Sequence, residues 1–362
     1  MIIGHGGNKK DLAVKLGCHM DQIIDMSSNL NPLGPPENIH RFICDHVEKI
    51  ESLPLPDAAG MRDGFARFHH MDSSRVIAGN GTTWFIYTIP RALEAKRVLI
   101  VGPTYSDYKD ACSMHDIPYD HLVSTPQDRF MPDMDQISAC AKACDLVFIC
   151  NPNNPTGALI RKEPLEYLIQ KHENTIFVID ESYLPFVDNA DQISFVGDIA
   201  YKNVIVLSSM SKIFTIPGLR TGFLSAHASI TQKIMACYQP WSVNALAQAV
   251  IEHIFDHPEK IEPFYQKTRA FIKTEKAYFY DLLERVKGLE LFDSSAYFIL
   301  ARLTGNQNSK TLCEKIGQHK ILIRDCANFE GLSDRYVRFS LKTRDENQQL
   351  AQYIKQELKG SL

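Results

Sequence analysis

A lysine follows a group of hydroxyl side chains past the middle of the 362-residue chain. Lys212 comes directly after Ser211 and shortly before Arg220, and the run Val204-Ile205-Val206-Leu207 ahead of it is typical of a buried parallel strand. Open α/β sheets bind ligands at the carboxyl ends of their strands, which is where this lysine is predicted to lie. Ser209, Ser211 and Arg220 suit one compact dianion, a phosphate. This pattern indicates an aldehyde cofactor with a phosphate tail, held by the lysine as a Schiff base.

A second phosphate-binding segment is predicted at Gly81, Thr82 and Thr83, between a predicted strand and a helical pattern. Glycine allows the backbone to approach an anion, and the first N–H groups of a helix point at it. The same residues also fit a plain tight turn between a strand and a helix. They support the prediction because they add a second set of phosphate-binding groups to Ser209, Ser211 and Arg220.

Two other candidates for contact with the cofactor follow strand ends. Tyr105 comes after Val98-Leu99-Ile100-Val101, where an aromatic side chain can stack on a flat ring. Asn154 comes after Leu146-Val147-Phe148-Ile149-Cys150, where its amide can donate to a ring oxygen. Ordinary core packing of Tyr105 and a proline-ordered turn around Asn154 are the alternatives.

Asp180 and Tyr183 follow the next predicted strand, Ile176-Phe177-Val178-Ile179. A carboxylate at the end of a buried strand is costly unless it is paired. Opposite a pyridine nitrogen, Asp180 keeps that nitrogen protonated, and the protonated ring becomes an electron sink. Tyr183 fits a tuning role at the phenolic oxygen of the same ring. The alternative for Asp180 is a helix N-cap.

These elements indicate an α/β chain in three parts. Residues 1–35 are rich in Gly, Asn and Pro and predict an irregular arm that contributes to the active site. Residues 36–255 alternate short apolar runs with helical patterns, which predicts a large domain with a mostly parallel sheet. Residues 256–362 begin with a long amphipathic helix, roughly 259–287, and predict a smaller α+β domain.

Composition excludes several classes of function. The net charge of −4 provides no basic surface for nucleic acid or an anionic membrane. The nine cysteines are odd in number and their spacing fits neither a disulfide framework nor a metal site, which indicates reduced cysteines in a cytoplasmic protein. We therefore expect a soluble enzyme with no metal, no nucleic-acid partner and no membrane segment.

The motifs together resemble fold-type I pyridoxal-5′-phosphate enzymes of the class I/II aminotransferase superfamily, over about residues 5–350. Two of its families are similar: histidinol-phosphate aminotransferase and the L-threonine O-3-phosphate decarboxylase of cobalamin biosynthesis. Three longer strings resemble the decarboxylase family. They are His5-Gly6-Gly7-Asn8 with Ser27-Ser28-Asn29-Leu30-Asn31-Pro32-Leu33-Gly34, then Gln239-Pro240-Trp241-Ser242-Val243-Asn244-Ala245-Leu246-Ala247, and Ile321-Leu322-Ile323-Arg324-Asp325-Cys326-Ala327-Asn328-Phe329 running on to Arg338.

The resemblance assigns a role to each residue of the site. It implies that Lys212 holds pyridoxal 5′-phosphate, that Asp180 pairs with the ring nitrogen, and that Asn154 and Tyr183 contact the phenolic oxygen. The cofactor phosphate would be bound by Gly81, Thr82, Thr83, Ser209, Ser211 and Arg220, and the ring would stack on Tyr105. The anionic groups of the substrate would be bound by His5, Asn31, Asn154, Arg324 and Arg338.

The reaction implied is decarboxylation of an O-phospho-L-amino acid, phosphothreonine or phosphoserine, in a cytoplasmic homodimer with active sites near the interface. The alternatives are a histidinol-phosphate-type aminotransferase and a non-catalytic regulator built on the same body. The chain departs from the family pattern at three positions. Leu55 replaces a tyrosine that usually reaches the cofactor of the other subunit, Tyr297 replaces an asparagine, and Ser208 replaces an arginine.

Overall fold

The computed structural model describes residues 6–198 and 200–359, which form a seven-stranded sheet, a four-stranded sheet and a two-stranded sheet, with helices around them. The strands are β1 (Ile24–Asp25), β2 (Val76–Asn80), β3 (Val98–Gly102), β4 (Tyr119–Val123), β5 (Leu146–Cys150), β6 (Ile176–Asp180), β7 (Val204–Ser209), β8 (Thr221–Ala226), β9 (Leu289–Leu291), β10 (Phe298–Leu303), β11 (Ile321–Leu322), β12 (Arg324–Asp325) and β13 (Tyr336–Ser340).

One helix precedes the first strand, and the others lie between the strands or after the last of them. They are α1 (Lys9–Leu16), α2 (Ile39–Asp45), α3 (Ala59–Phe68), α4 (Gly81–Ala92), α5 (Asp107–Met114), α6 (Met134–Ala141), α7 (Lys162–Lys171), α8 (Ala190–Ile193), α9 (Met210–Ile213), α10 (Ala228–Met235), α11 (Ala245–Phe255), α12 (Pro258–Leu283), α13 (Ser309–Gln318) and α14 (Arg344–Lys359). In the described part of the chain, none of these helices combines the length and the hydropathy needed to cross a membrane.

The large sheet has seven strands in the order β2-β8-β7-β6-β5-β3-β4. Strands β3 to β7 pair in parallel, and β8 runs antiparallel to both β2 and β7. Every residue of β5 is buried because helices cover both faces of the sheet, which is why this strand is apolar without alternation. The predicted mostly parallel sheet is confirmed, and its four predicted strands are β3, β5, β6 and β7.

Two apolar clusters hold helices against the faces of the large sheet. One cluster packs α3, α4 and α11 on one face, with Phe65 and Ile86 among its members. The other packs α6 and α7 on the opposite face, through Ile137 and Leu165. Since the parallel strands all end at one edge of this sheet, the loops that follow β3, β5, β6 and β7 meet there.

The small sheet has four antiparallel strands in the order β12-β13-β10-β9. Its core includes Phe279 of α12 and Leu350 of α14. The predicted amphipathic helix is confirmed as α12. Its first residue is Pro258, a position where the missing N–H of proline costs no helical hydrogen bond. Its buried residues recur every three or four positions along one face of the helix: Ile261, Tyr265, Thr268, Ile272, Glu275, Phe279 and Leu283.

The prediction of an irregular N-terminal arm is wrong for two segments. Residues Lys9–Leu16 form α1, because the Asn8 side chain caps the N–H of Asp11 and Gly17 takes the left-handed conformation that ends the helix. Residues Ile24–Asp25 form β1, which pairs in parallel with β11. Sequence reasoning gave too much weight to the glycines, although an Asn before and a Gly after a short polar run are helix-capping signals.

Candidate active site

A cavity of about 260 Å³ lies at the carboxyl edge of the large sheet, and the small sheet and the N-terminal arm also contribute residues to it. The predicted residues that line it are Gly81, Thr82, Thr83, Tyr105, Asn154, Asp180, Tyr183, Ser209, Ser211, Lys212, Arg220, Arg324 and Arg338. They come from segments far apart in the chain. The shared edge of the parallel strands explains why the first eleven of them meet.

Lys212 lies in the short helix α9, directly after β7. Burial, together with the charges of Arg220 and Arg338, lowers the pKa of its ammonium group to about 8, against the opposing charges of Asp180 and Asp107. A substantial fraction of Lys212 is therefore neutral near pH 8, which is the form that attacks an aldehyde.

Asp180 ends β6 and is buried. Its Oδ2 accepts a hydrogen bond of 2.9 Å from the Tyr108 hydroxyl, and its Oδ1 accepts one of 3.0 Å from the backbone N–H of Ser182. Burial raises the pKa of this carboxyl, although both hydrogen bonds and the charge of Lys212 oppose the rise. A buried carboxylate with so few partners favours a positively charged or proton-donating group beside it.

Tyr183 is held by the N-terminal arm. Its hydroxyl accepts a hydrogen bond of 3.1 Å from Asn29 Nδ2, and Asn29 Oδ1 accepts one of 2.7 Å from the Ser340 hydroxyl on β13. Burial raises the pKa of the Tyr183 phenol, so it is a hydrogen-bond donor at neutral pH. Asn29 of the arm thus links Tyr183, in the loop after β6, to Ser340 on β13.

The phosphate-binding residues predicted from the sequence form a cradle. Gly81 opens α4 with a φ of +74°, and a Cβ atom there would lie only 2.7 Å from Nη2 of Arg220. A Cβ atom on Gly222 would lie 2.7 Å from the backbone nitrogen of Thr82. The hydroxyl of Ser211 is buried and has no hydrogen-bond partner within the described residues. A helix N-terminus, a guanidinium and a free hydroxyl around one space suit a phosphate dianion.

Two arginines of the small sheet face the same cavity. Arg324 and Arg338 are register partners on the antiparallel strands β12 and β13. Arg338 is buried, donates from its η nitrogens to Asn154 Oδ1 and Ser27 O, and lacks a partner at Nε within the described residues. Arg324 is half-buried and donates to Asn328 Oδ1 at 2.7 Å. The two guanidinium groups make this wall of the cavity a binding surface for anions.

Asn31 is placed differently from the prediction and does not line the cavity. Its Nδ2 donates to Ile213 O at 2.9 Å and to Thr268 Oγ1 at 3.0 Å, and its Oδ1 accepts from the N–H of Leu33. These contacts tie the amide to the turn beside Lys212, and substrate binding by Asn31 stays a prediction. The other predicted substrate residue of the arm, His5, lies outside the described residues.

The three positions that depart from the family pattern lie outside the cavity lining. Leu55 is 51% exposed, near the exposed apolar side chains of Ile50 and Leu53 on the same segment. Ser208 lines a separate, smaller cavity together with Glu181. Tyr297 is buried behind Tyr183, with the ring centres 6.3 Å apart. The expected homodimer stays a prediction.

Several residues of the site were missed by sequence reasoning. Tyr108 binds Asp180, Asn29 binds Tyr183, and Asn328 binds Arg324. Asn29 and Asn328 lie inside the strings that resemble the decarboxylase family, so their polar character within those strings was an available signal. Tyr108, three residues after Tyr105 in a helical pattern, resembles any core tyrosine in the sequence.

A family model for class I and II aminotransferases matches residues 21–354. The chain belongs to the class I and II aminotransferase family. It is 30% identical to the threonine-phosphate decarboxylase of Salmonella typhimurium over 98% of this chain and 97% of that protein. It is 33% identical, over 96% of its length, to the adenosylcobalamin biosynthesis bifunctional protein CobDQ of Leptospira interrogans, of whose length it spans 40%.

Solved structures of this family show the same fold. The L-threonine-O-3-phosphate decarboxylase of Porphyromonas gingivalis has a TM-score of 0.83 and 27% identity, over 93% of this chain and 100% of that one. The histidinol-phosphate aminotransferase of Clostridium acetobutylicum has a TM-score of 0.85 and 26% identity, with the same coverage. The predicted fold-type I architecture is confirmed.

Members of the class I and II aminotransferase family use pyridoxal 5′-phosphate, and the cavity fits this cofactor. The cradle at Gly81, Arg220 and Ser211 suits its phosphate, and the buried carboxylate of Asp180 suits its ring nitrogen. Lys212 lines the same cavity and has the lowered pKa that attack on an aldehyde requires. The predicted cofactor is confirmed by the family.

The buried ammonium of Lys212 predicts a pH-dependent stability of the cofactor-free protein. Its folded pKa of about 8 lies below the ordinary lysine value of 10.5, so at pH values between them the unfolded chain binds more protons and stability rises with pH. At about 1.4 kcal/mol per pKa unit, burying the charged Lys212 ammonium lowers the free energy of unfolding by roughly 3 kcal/mol below pH 8. Lys212→Met should therefore be more stable than the wild type at pH 7.

Urea denaturation of both proteins at pH 7 and pH 10 measures this effect. The difference in the free energy of unfolding between Lys212→Met and wild type should shrink at pH 10, since the other titrating groups are common to both. A difference that stays constant with pH would show that Lys212 titrates normally in the folded protein.

Proposed function

We propose that this enzyme decarboxylates an O-phospho-L-amino acid in the synthesis of the cobalamin nucleotide loop. The substrate is O-phospho-L-threonine, giving 1-aminopropan-2-ol O-phosphate, or O-phospho-L-serine, giving ethanolamine phosphate. The observation that carries the proposal is the pairing of Arg324 with Arg338 across β12 and β13 at the cavity that holds Lys212. A phosphoamino acid has two anionic groups, and two guanidinium forks suit them.

Similarity to known enzymes supports the same proposal. The relative from Salmonella typhimurium is a threonine-phosphate decarboxylase and matches this chain over nearly its whole length. The relative from Leptospira interrogans is a bifunctional protein of adenosylcobalamin biosynthesis. Six residues of the decarboxylase-like strings line the cavity: Ser27, Ser28, Asn29, Arg324, Asn328 and Phe329.

The side chains of the cavity divide the work of the reaction. When bound, pyridoxal phosphate supplies an electron sink for the bond that breaks at the substrate Cα. Asp180 would hold a proton at the ring nitrogen, and Tyr183 would donate to the phenolic oxygen. Lys212, with its pKa of about 8, exchanges a proton with Cα near neutral pH. The arginines orient the substrate by its two anionic groups and so choose which bond at Cα is broken.

A histidinol-phosphate aminotransferase is the second candidate. The structure from Clostridium acetobutylicum matches this fold as well as the decarboxylase structure does. Transamination uses the same lysine, the same carboxylate and the same phosphate cradle. The two reactions differ in the bond that is presented for cleavage, so the products distinguish them.

Incubation of the purified enzyme with pyridoxal phosphate and each substrate tests the assignment. O-phospho-L-threonine and O-phospho-L-serine are offered in separate reactions, and histidinol phosphate is offered with 2-oxoglutarate. We expect release of CO₂ and formation of an amino-alcohol phosphate from a phosphoamino acid. Glutamate formed from histidinol phosphate, without CO₂ from either phosphoamino acid, would contradict the proposal. The ratio of kcat/KM for the two phosphoamino acids then identifies the preferred substrate.

A further inference from the structure

The loop after β12 is fastened to the large sheet by one carboxylate. Glu330 Oε2 accepts a hydrogen bond of 3.2 Å from Lys109 Nζ, and Glu330 Oε1 lies 3.1 Å from His121 Nδ1. Lys109 belongs to α5 and His121 to β4, the edge strand of the large sheet. This contact of Glu330 with Lys109 and His121 is called the latch below. It joins the small-sheet side of the cavity to the large-sheet side.

Both partners of Glu330 lie in rigid surroundings. Lys109 follows Tyr108, whose hydroxyl binds Asp180 in the cavity. The side chain of His121 is only 8% exposed, and its ring packs against Gly102, where an added Cβ atom would lie 2.1 Å from Nε2. The latch therefore ties the loop to α5, the helix whose Tyr108 also donates a hydrogen bond to Asp180.

The same loop contacts Arg324 at the anion-binding wall of the cavity. Asn328, two residues before Glu330, lines the cavity and accepts a hydrogen bond of 2.7 Å from Arg324 Nη2. The Arg324 guanidinium also lies 5.2 Å from the ring centre of Phe329, which is buried. On the other side of Glu330, Gly331 packs against Val123, where a Cβ atom would be only 2.3 Å from Cγ1. Few positions are open to the loop once the latch has formed.

We propose that Glu330 is a positioning residue for substrate binding, which acts through Asn328 to hold Arg324 at the cavity. The inference rests on the proposed function in one respect, that the substrate presents an anionic group to Arg324. Glu330 and Lys109 are 40% and 36% exposed, so water screens their contact and keeps its energetic contribution small. Its effect is on the affinity for substrate, since none of its three members lines the cavity.

The variant Glu330→Gln tests the proposal, because glutamine keeps the size of the side chain and removes its charge. We expect KM for the phosphoamino acid to rise about 2- to 5-fold, the range for a partly exposed ion pair, with kcat little changed. Amide hydrogen exchange of residues 324–332 should also become faster in the variant. Unchanged KM and unchanged exchange in this segment would overturn the proposal.

Asp293→Asn is the matched control. Asp293 pairs with Arg129 across the same two parts of the molecule, but it lies outside the loop that carries Asn328. Equal effects in the two variants would show that any ion pair between these parts serves, and would overturn a specific role for Glu330. The double variant Lys109→Glu with Glu330→Lys should have a lower KM than Glu330→Lys alone, because the swapped charges can pair again. A role of Glu330 in folding alone would not produce this recovery.

Binding of O-phospho-L-threonine, measured by calorimetry, separates this inference from the proposed reaction. If the wild type releases no CO₂ but Glu330→Gln still weakens binding and loosens the loop, the proposed reaction fails and the latch stands. If the wild type releases CO₂ and the variant binds and exchanges like the wild type, the latch fails and the reaction stands.

Discussion

Replacing Lys212 by alanine should lower the rate of the proposed decarboxylation by roughly 10³-fold or more. The variant loses both the amine that holds the cofactor and the group that exchanges a proton with Cα, and proton transfer alone contributes about 10²- to 10⁴-fold. The visible absorbance band of lysine-bound pyridoxal phosphate should disappear as well. Both are measured on the purified variant supplied with cofactor.

Lys202→Ala is the control, because Lys202 is exposed on the turn before β7. It should retain wild-type activity and the absorbance band. Persistence of the band in Lys212→Ala would remove Lys212 from its proposed role, and full activity without the band would show that the reaction does not depend on this lysine.

Asp180→Asn should lower kcat/KM by about 10- to 100-fold and weaken the binding of pyridoxal phosphate. Asparagine has the same shape and can still accept the hydrogen bond from the Ser182 N–H, but it cannot balance a protonated ring nitrogen. A hydrogen bond to a charged group is worth about 1.5–3 kcal/mol, and each 1.4 kcal/mol is a factor of ten. Steady-state kinetics and titration with the cofactor measure the two effects.

The stability of the same variant should change in the opposite direction. Burial raises the folded pKa of Asp180 above the ordinary aspartate value of 3.8, so ionising this carboxyl above that pH costs folding free energy. The cofactor-free Asp180→Asn protein should therefore be at least as stable as the wild type at pH 7. Asp188→Asn, at an exposed aspartate, is the control and should change neither activity nor stability. A variant that loses both would point to a folding role for Asp180.

The large sheet and most of its site could be predicted from local patterns. Strands β3, β5, β6 and β7 begin with apolar runs because both faces of the sheet are covered, and polar or aromatic site residues lie at or shortly after the end of each. The parallel arrangement then places those residues at one edge. The N-terminal arm was less predictable, since α1 depends on two capping residues and β1 on a partner strand at residues 321–322.

The surroundings of Asn31 show what the resemblance did not reveal about a single side chain. The string around it is similar to the decarboxylase family, and an asparagine in such a string can bind a substrate. In the structure its amide donates hydrogen bonds to Ile213 O and Thr268 Oγ1 and accepts one from the N–H of Leu33. The neighbouring Asn29 points to the cavity instead and binds Tyr183. Two asparagines separated by one residue have the same character in the sequence, and only packing against α12 and β13 distinguishes them.

The sequence by itself indicated the cofactor chemistry, because Lys212, Asp180 and the phosphate-binding residues lie at or next to strand ends that meet at one edge of the large sheet. Tertiary structure alone decided which side chains support them. Tyr108 reaches Asp180 across 72 residues and Asn29 reaches Tyr183 across 154. The register of β12 with β13 places Arg324 opposite Arg338. The physical reason is that strand ends are set by local periodicity, whereas these contacts depend on how separate elements pack together.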